Sequence, residues 1–167
     1  MESFTMKALE LQHLAHQLLF FEDDAPLYSD DFCRWNRTVL TLSDTLYSLW
    51  HNASVSDTLT SEEDAEVCLA LLMGYTATIY GDCNKQEHVQ RVLDRCWKIL
   101  PHLPVSFQKL CLLTYCYGEV YDKALAREAH DILDSWNERE LTAQEREIVS
   151  LLGSMEENPY PWEEMEE

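Results

Sequence analysis

Residues 60–82 constrain the fold more than any other stretch. Leu69-Ala-Leu-Leu-Met-Gly-Tyr-Thr-Ala-Thr-Ile-Tyr-Gly-Asp82 is the most apolar run, and it follows Thr60-Ser61-Glu62-Glu63 without a break. Cys68, Leu72, Tyr75 and Ile79 recur at helical spacing, and Val67, Leu71 and Thr78 form a neighbouring stripe. Two stripes make a wide apolar face, which predicts a largely buried helix over 60–80 on which others pack. Thr60 with Glu63 has capping-box form, and Gly81-Asp82 reads as the C-terminal stop. Glu62, Glu63 and Asp64 fall in the first turn, where carboxylates oppose the helix dipole and need no functional role.

The same periodicity predicts six further helices. The first runs from about Phe4 to Phe21, with Leu11, Leu14, Ala15, Leu18 and Leu19 inward, and stops before Pro26. The second starts at Ser29-Asp30-Asp31, with Ser29 as N-cap. Phe32, Trp35, Val39, Leu42, Leu46 and Leu49 step by 3, 4, 3, 4, 3 along one inward stripe. Asn52 to Leu59 is a polar loop. A fourth helix starts near Asn84 and Glu87 and ends at Pro101, with Val89, Val92, Leu93, Cys96, Ile99 and Leu100 inward. A fifth covers Val105 to Tyr117, a sixth Tyr121 to Trp136, and a seventh begins at Thr142, with Glu145 three residues on as a second capping box.

No strand-period run appears, and Gly and Pro are sparse, at 4 and 5. The expected architecture is therefore all-α: about seven helices packed as antiparallel hairpins around the central helix 60–80. Residues 1–155 form one expected domain. Residues 156–167 hold six Glu, two Pro and no Lys or Arg, and are expected to leave it as an acidic tail.

Twelve Lys+Arg against 31 Asp+Glu give a net charge of −19. Affinity for nucleic acid or anionic lipid comes largely from Lys and Arg on phosphates, so direct binding to either is disfavoured. A basic protein partner suits the charge, as does solubility alone. The first 25 residues lack the compact apolar block of a secretory signal, and no run reaches a membrane span. A cytoplasmic location follows as the expectation, with the six cysteines as free thiols.

Tests for chemistry come back negative. The four glycines form no phosphate-binding loop, and no Cys-x-x-Cys pair exists. Cys111 and Cys116 point to different faces and read as core thiols. Glu10, His13 and His16 give half of a di-iron motif without its second half, so a solvated face is expected. Cys68, Cys96 and Cys116 lie on apolar faces, where a thiol stays protonated and inert. The expectation is a non-enzyme with no catalytic residue, metal or cofactor.

Several blocks carry a family resemblance. They are Leu14-Ala-His-Gln-Leu-Leu19, Tyr28-Ser-Asp30, Leu69 to Tyr80, Val92-Leu-Asp-Arg-Cys-Trp97, Leu113-Thr-Tyr-Cys-Tyr-Gly-Glu-Val-Tyr-Asp122, Glu128-Ala-His-Asp-Ile-Leu-Asp-Ser-Trp136 and Glu156-Glu-Asn-Pro-Tyr-Pro-Trp162. In that order they resemble the UpxZ family over nearly the whole chain. The resemblance implies a regulator encoded in a bacterial capsular polysaccharide locus. It would antagonise UpxY-type, NusG-like antitermination factors, so that other capsule operons are not transcribed. The family brings no catalytic residues to carry over.

Three surfaces are the expected partner contacts. One is the tail with Tyr160 and Trp162, whose prolines favour an extended chain. Another is the polar face of the sixth helix, with Glu128, His130, Asp131 and Asp134. The third is the turn before it, where Glu119 and Asp122 stand among Tyr117 and Tyr121. Other readings of the residues are a helical interaction scaffold with a different basic partner, or a metal- or thiol-dependent enzyme.

Overall fold

A computed structural model describes residues 4–19, 30–52, 60–78, 85–136 and 139–157. They form seven α-helices: α1 (Phe4–Leu19), α2 (Asp30–Asn52), α3 (Ser61–Ala77), α4 (Lys85–Ile99), α5 (Phe107–Val120), α6 (Lys123–Ser135) and α7 (Ala143–Glu157). A 3-10 turn at Leu100–His102 follows α4, and no strand occurs among the described residues. Contacts group the chain into two units, Met1–His102 and Leu103–Glu167.

In the first unit α3 packs against α1, α2 and α4, and α1 also packs against α2. Its start is the predicted capping box: Thr60 Oγ1 accepts from the Glu63 N–H, and Glu63 Oε1 accepts from the Thr60 N–H, each at 3.1 Å. Two donors that a first turn leaves unpaired are thereby satisfied. Ala65, Val67, Cys68, Ala70, Leu71 and Leu72 are buried, so α3 is covered nearly all round.

The helix ends earlier than Gly81-Asp82 would place it. Thr78 is already extended, with φ −86° and ψ 147°. Both its N–H and its hydroxyl bond to the Gly74 carbonyl, at 3.2 and 2.9 Å, and Lys85 Nζ donates to its carbonyl at 2.7 Å. Side-chain bonds of this kind compete with the helix ladder. Ile79 to Asn84 lie outside the described residues, as do Ser29 and the loop 53–59.

Helix α2 is turned relative to its predicted stripe. Val39 and Leu46 are buried, Trp35 and Leu42 are half-buried, and Leu49 is 40% exposed. Ser43, Tyr47 and Trp50 are buried instead. The cause is packing rather than periodicity. A Cβ on Gly74 would overlap Ser43 Oγ and stand 3.4 Å from Leu11 Cδ1, so α3 passes close to α2 and α1 here. Ser43 Oγ donates to the Val39 carbonyl at 2.8 Å within its own helix, which leaves no unsatisfied hydroxyl at the crossing.

In the second unit α5 packs against both α6 and α7. Ser106 caps α5 by accepting from the Lys109 N–H at 3.2 Å, so the helix starts at Phe107, two residues inside the predicted start at Val105. Leu110 to Tyr117 are all buried. The helix runs on to Val120 and stops where Tyr121 enters the left-handed region at φ 54° and ψ 33°, its N–H on the Tyr117 carbonyl at 2.7 Å. Asp122 then caps α6 by accepting from the Ala124 N–H at 2.9 Å. The second capping box is present: Glu145 Oε1 accepts from the Thr142 N–H at 2.8 Å, and Thr142 Oγ1 from the Glu145 N–H at 3.1 Å. Glu156 and Glu157, read as tail, are the last residues of α7. Asn158 to Glu167 lie outside the described residues.

Replacing Gly74 with Leu is expected to lower stability by about 1–3 kcal/mol through overpacking at the Ser43 crossing. Gly153 is the control site: a Cβ added there would meet nothing within 4 Å, and its change to Ala should cost nothing. Chemical denaturation of the two variants checks this, and equal stability for Gly74→Leu would remove the close-packing assignment.

Candidate partner-binding surfaces

The polar residues named on the sixth helix lie on α6. Glu128, His130, Asp131 and Asp134 are all exposed. Glu128 lies 3.4 Å from Lys109 Nζ on α5, and His130 Nε2 lies 2.7 Å from Glu156 Oε1 on α7. Asp131 and Asp134 have no cationic partner among the described residues. Asp122 is exposed but already committed as the α6 cap, and Glu119 is half-buried. Tyr117 is buried, because it faces the α5 core, and so offers no surface. Its ring packs against that of half-buried Tyr121, with centroids 5.2 Å apart. Tyr160 and Trp162 lie outside the described residues.

At the other end of α6 the chain turns through an arginine clamp. Arg139 makes two parallel bonds to Glu145, at 2.8 and 2.7 Å, and stacks 4.5 Å over the Trp136 ring. Arg139 first, and the Thr142 N–H second, hold the Glu145 carboxyl down at about 2.

The first unit has a polar interior that local sequence patterns did not show. Asp64, read as a first-turn acid that needs no functional role, is only 1% exposed. Its Oδ2 accepts from Arg95 Nε of α4 at 2.5 Å, and its Oδ1 from Trp50 Nε1 of α2 at 3.3 Å. Further along α3, the Tyr75 hydroxyl lies 2.7 Å from Asp44 Oδ1 and 2.8 Å from His88 Nδ1. The Tyr47 ring stacks on His88 with centroids 3.8 Å apart, and Arg91 donates to the Tyr47 hydroxyl at 3.1 Å. The signals available in the sequence were an acid in the first turn of a helix apolar all round, and Arg91, Arg95 and Lys98 at steps of 4 and 3.

Cys68, Cys96, Cys111 and Cys116 are buried thiols, while Cys33 is exposed. His13 is exposed and bonds to Gln17 at 3.0 Å. No group of three or more His, Cys, Asp or Glu that could hold a metal ion occurs among the described residues. No described helix is long and apolar enough to cross a membrane.

Among the described residues the chain is all-helical, with exposed carboxylates on α6 and four buried thiols. Known proteins give that class a family. The model of the UpxZ family of transcription anti-terminator antagonists matches residues 8–118. The crystal structure of a transcription anti-terminator antagonist UpxZ from Bacteroides uniformis is 46% identical to this chain, with a TM-score of 0.85. The match covers 98% of both chains. Nothing among curated proteins matches. The chain belongs to the UpxZ family, whose members are regulators and not enzymes.

Two outcomes test the polar groups. Asp64→Leu is expected to cost about 3–5 kcal/mol, because it leaves Arg95 without its buried carboxylate. Adding Arg95→Met should recover most of that loss in urea titrations, and no recovery would deny the pairing. Glu145 has a folded pKa below its ordinary 4.5. Its contribution is therefore complete above pH 4.5 and is lost as pH falls towards about 2. Urea midpoints followed by circular dichroism should fall across that window in the wild type. The fall should be smaller in Glu145→Gln.

Proposed function

We propose that this chain binds UpxY-type, NusG-like antitermination factors and blocks their use by RNA polymerase, so that other capsular polysaccharide operons are not read through. Membership of a family of anti-terminator antagonists carries the reading, since it implies a protein partner engaged in transcription. The acidic surface is compatible with it. NusG-like factors engage polymerase and nucleic acid, and a protein of net charge −19 can be steered to the basic part of such a surface. Action on transcription would place the chain in the cytoplasm, with no direct hold on nucleic acid.

The proposed contact is the α6 strip and the turn before it: Glu119, Tyr121, Asp122, Glu128, His130, Asp131 and Asp134, extended by Tyr160 and Trp162. Asp131 and Asp134 lead, because their charge is not already shared with a neighbouring cation. Pull-downs of the full chain against antitermination factors from several capsule loci are expected to capture at least one. Capture should weaken as salt screens the exposed charges. Asp131→Lys with Asp134→Lys should weaken it further. Capture of none would end the proposal, and full capture by the double variant would move the contact elsewhere.

A further inference from the structure

Among the described residues, one residue other than glycine has a positive φ: Tyr121, at φ 54° and ψ 33°. The chain passes from α5 to α6 through Tyr121 and Asp122 alone, and the left-handed step at Tyr121 makes that turn. A β-carbon in this region crowds the following carbonyl, so glycine or asparagine is the usual residue just past a helix. The tyrosine is held there against the preference of its own backbone.

We propose that Tyr121 is the aromatic anchor through which this chain grips its protein partner, its ring making the short-range contact while the α6 carboxylates steer the approach. The inference rests on the reading that this chain acts by binding an antitermination factor.

The ring is set in place before a partner arrives. The Tyr121 N–H donates to the Tyr117 carbonyl at 2.7 Å. On its other side the Asp122 carbonyl accepts from the Leu125 N–H at 3.0 Å, and the Asp122 carboxylate accepts from the Ala124 N–H at 2.9 Å. The ring packs on that of buried Tyr117, with centroids 5.2 Å apart and planes tilted by 56°, and is itself half-buried. A tyrosine ordered in the free protein loses little freedom on binding and brings a large contact area. Backbone strain persists where its surroundings over-determine it, and it gathers at binding sites.

The charges around the turn assign the ring a different task from the acids of α6. Asp122 and Lys123, both exposed, adjoin Tyr121 in the chain with opposite charges, so a contact here draws its strength from the ring. Asp131 and Asp134 stand about three turns further along α6. Met155 of α7 meets Gly118, one turn before Tyr121, so α7 also ends beside this turn. The proposed contact surface thus has an aromatic end and an acidic end. Exposed charge acts over about a Debye length and sets how fast a complex forms, while a packed ring acts only at contact and sets how long the complex lasts.

The test measures association and dissociation of the full-length chain with an antitermination factor, by surface plasmon resonance at low and raised salt, alongside urea midpoints. Tyr121→Gly is expected to speed dissociation at least about tenfold at both salt concentrations, as loss of an aromatic anchor does. Its association rate should stay within about twofold. Its urea midpoint should not fall, because glycine accepts the left-handed backbone. Tyr121→Asn, which also tolerates that region, should behave alike. Asp131→Lys with Asp134→Lys should instead slow association, and chiefly at low salt. A lower urea midpoint in Tyr121→Gly would overturn the proposal, because the ring would then serve the fold. So would unchanged dissociation, or a loss confined to association. A wild type that captures no factor overturns the antagonist reading and the anchor with it. Capture with a dissociation rate indifferent to Tyr121 overturns the anchor alone.

Discussion

The first unit is organised by a single buried carboxylate. Asp64 receives Trp50 from α2 and Arg95 from α4 while belonging to α3, so three helices meet at two oxygen atoms. Burying the two charges costs several kcal/mol per ion, and the pairing repays this only with good geometry and further hydrogen bonds. The Trp50 indole supplies one such bond, and the N-terminal end of α3 supplies a favourable field. The net gain over an apolar trio is small on general grounds, but the positional information is large. With Trp50 bound to Asp64, α2 must turn Trp50 inward and Leu49 outward, and Arg95 must reach from α4 to the same carboxylate.

A second polar junction repeats the arrangement on the same face of α3. Tyr75 follows Asp64 by eleven residues, which is three turns and about 16 Å along the axis. It too joins α2, through Asp44, to α4, through His88. Cys68 and Leu72 lie between them on one stripe, and both are buried. Beside this stripe Tyr47 stacks on His88 and accepts from Arg91, so aromatic and cationic side chains bridge α2 and α4. Gly74, between Asp64 and Tyr75 in the same helix, lets α3 approach Ser43 of α2 closely.

Local chemistry was legible in the sequence, and long-range pairing was not. Thr60 with Glu63 and Thr142 with Glu145 are three-residue patterns, and both form as reciprocal capping boxes. The burial of α3 followed from its composition. The rotation of α2 did not, because apolar spacing favoured Leu49 over Trp50, while the Trp50 bond to Asp64 and the close approach of Gly74 to Ser43 turn the helix the other way. Asp64 itself satisfies the first-turn rule, so nothing local marked it as buried. The same limit governs the candidate surfaces. Exposed acids on α6 could be read from helical spacing, whereas burial of Tyr117 depends on its neighbours across the unit. Arg91, Arg95 and Lys98 were hidden by an acidic total that says nothing about local clustering.

The α6 strip suits a different task from the polar junctions of the first unit. Its exposed carboxylates act over about a Debye length, steering association and discriminating among partners by charge. The Asp64 and Tyr75 junctions are made between helices of the protein itself, and what they fix is the position of those helices.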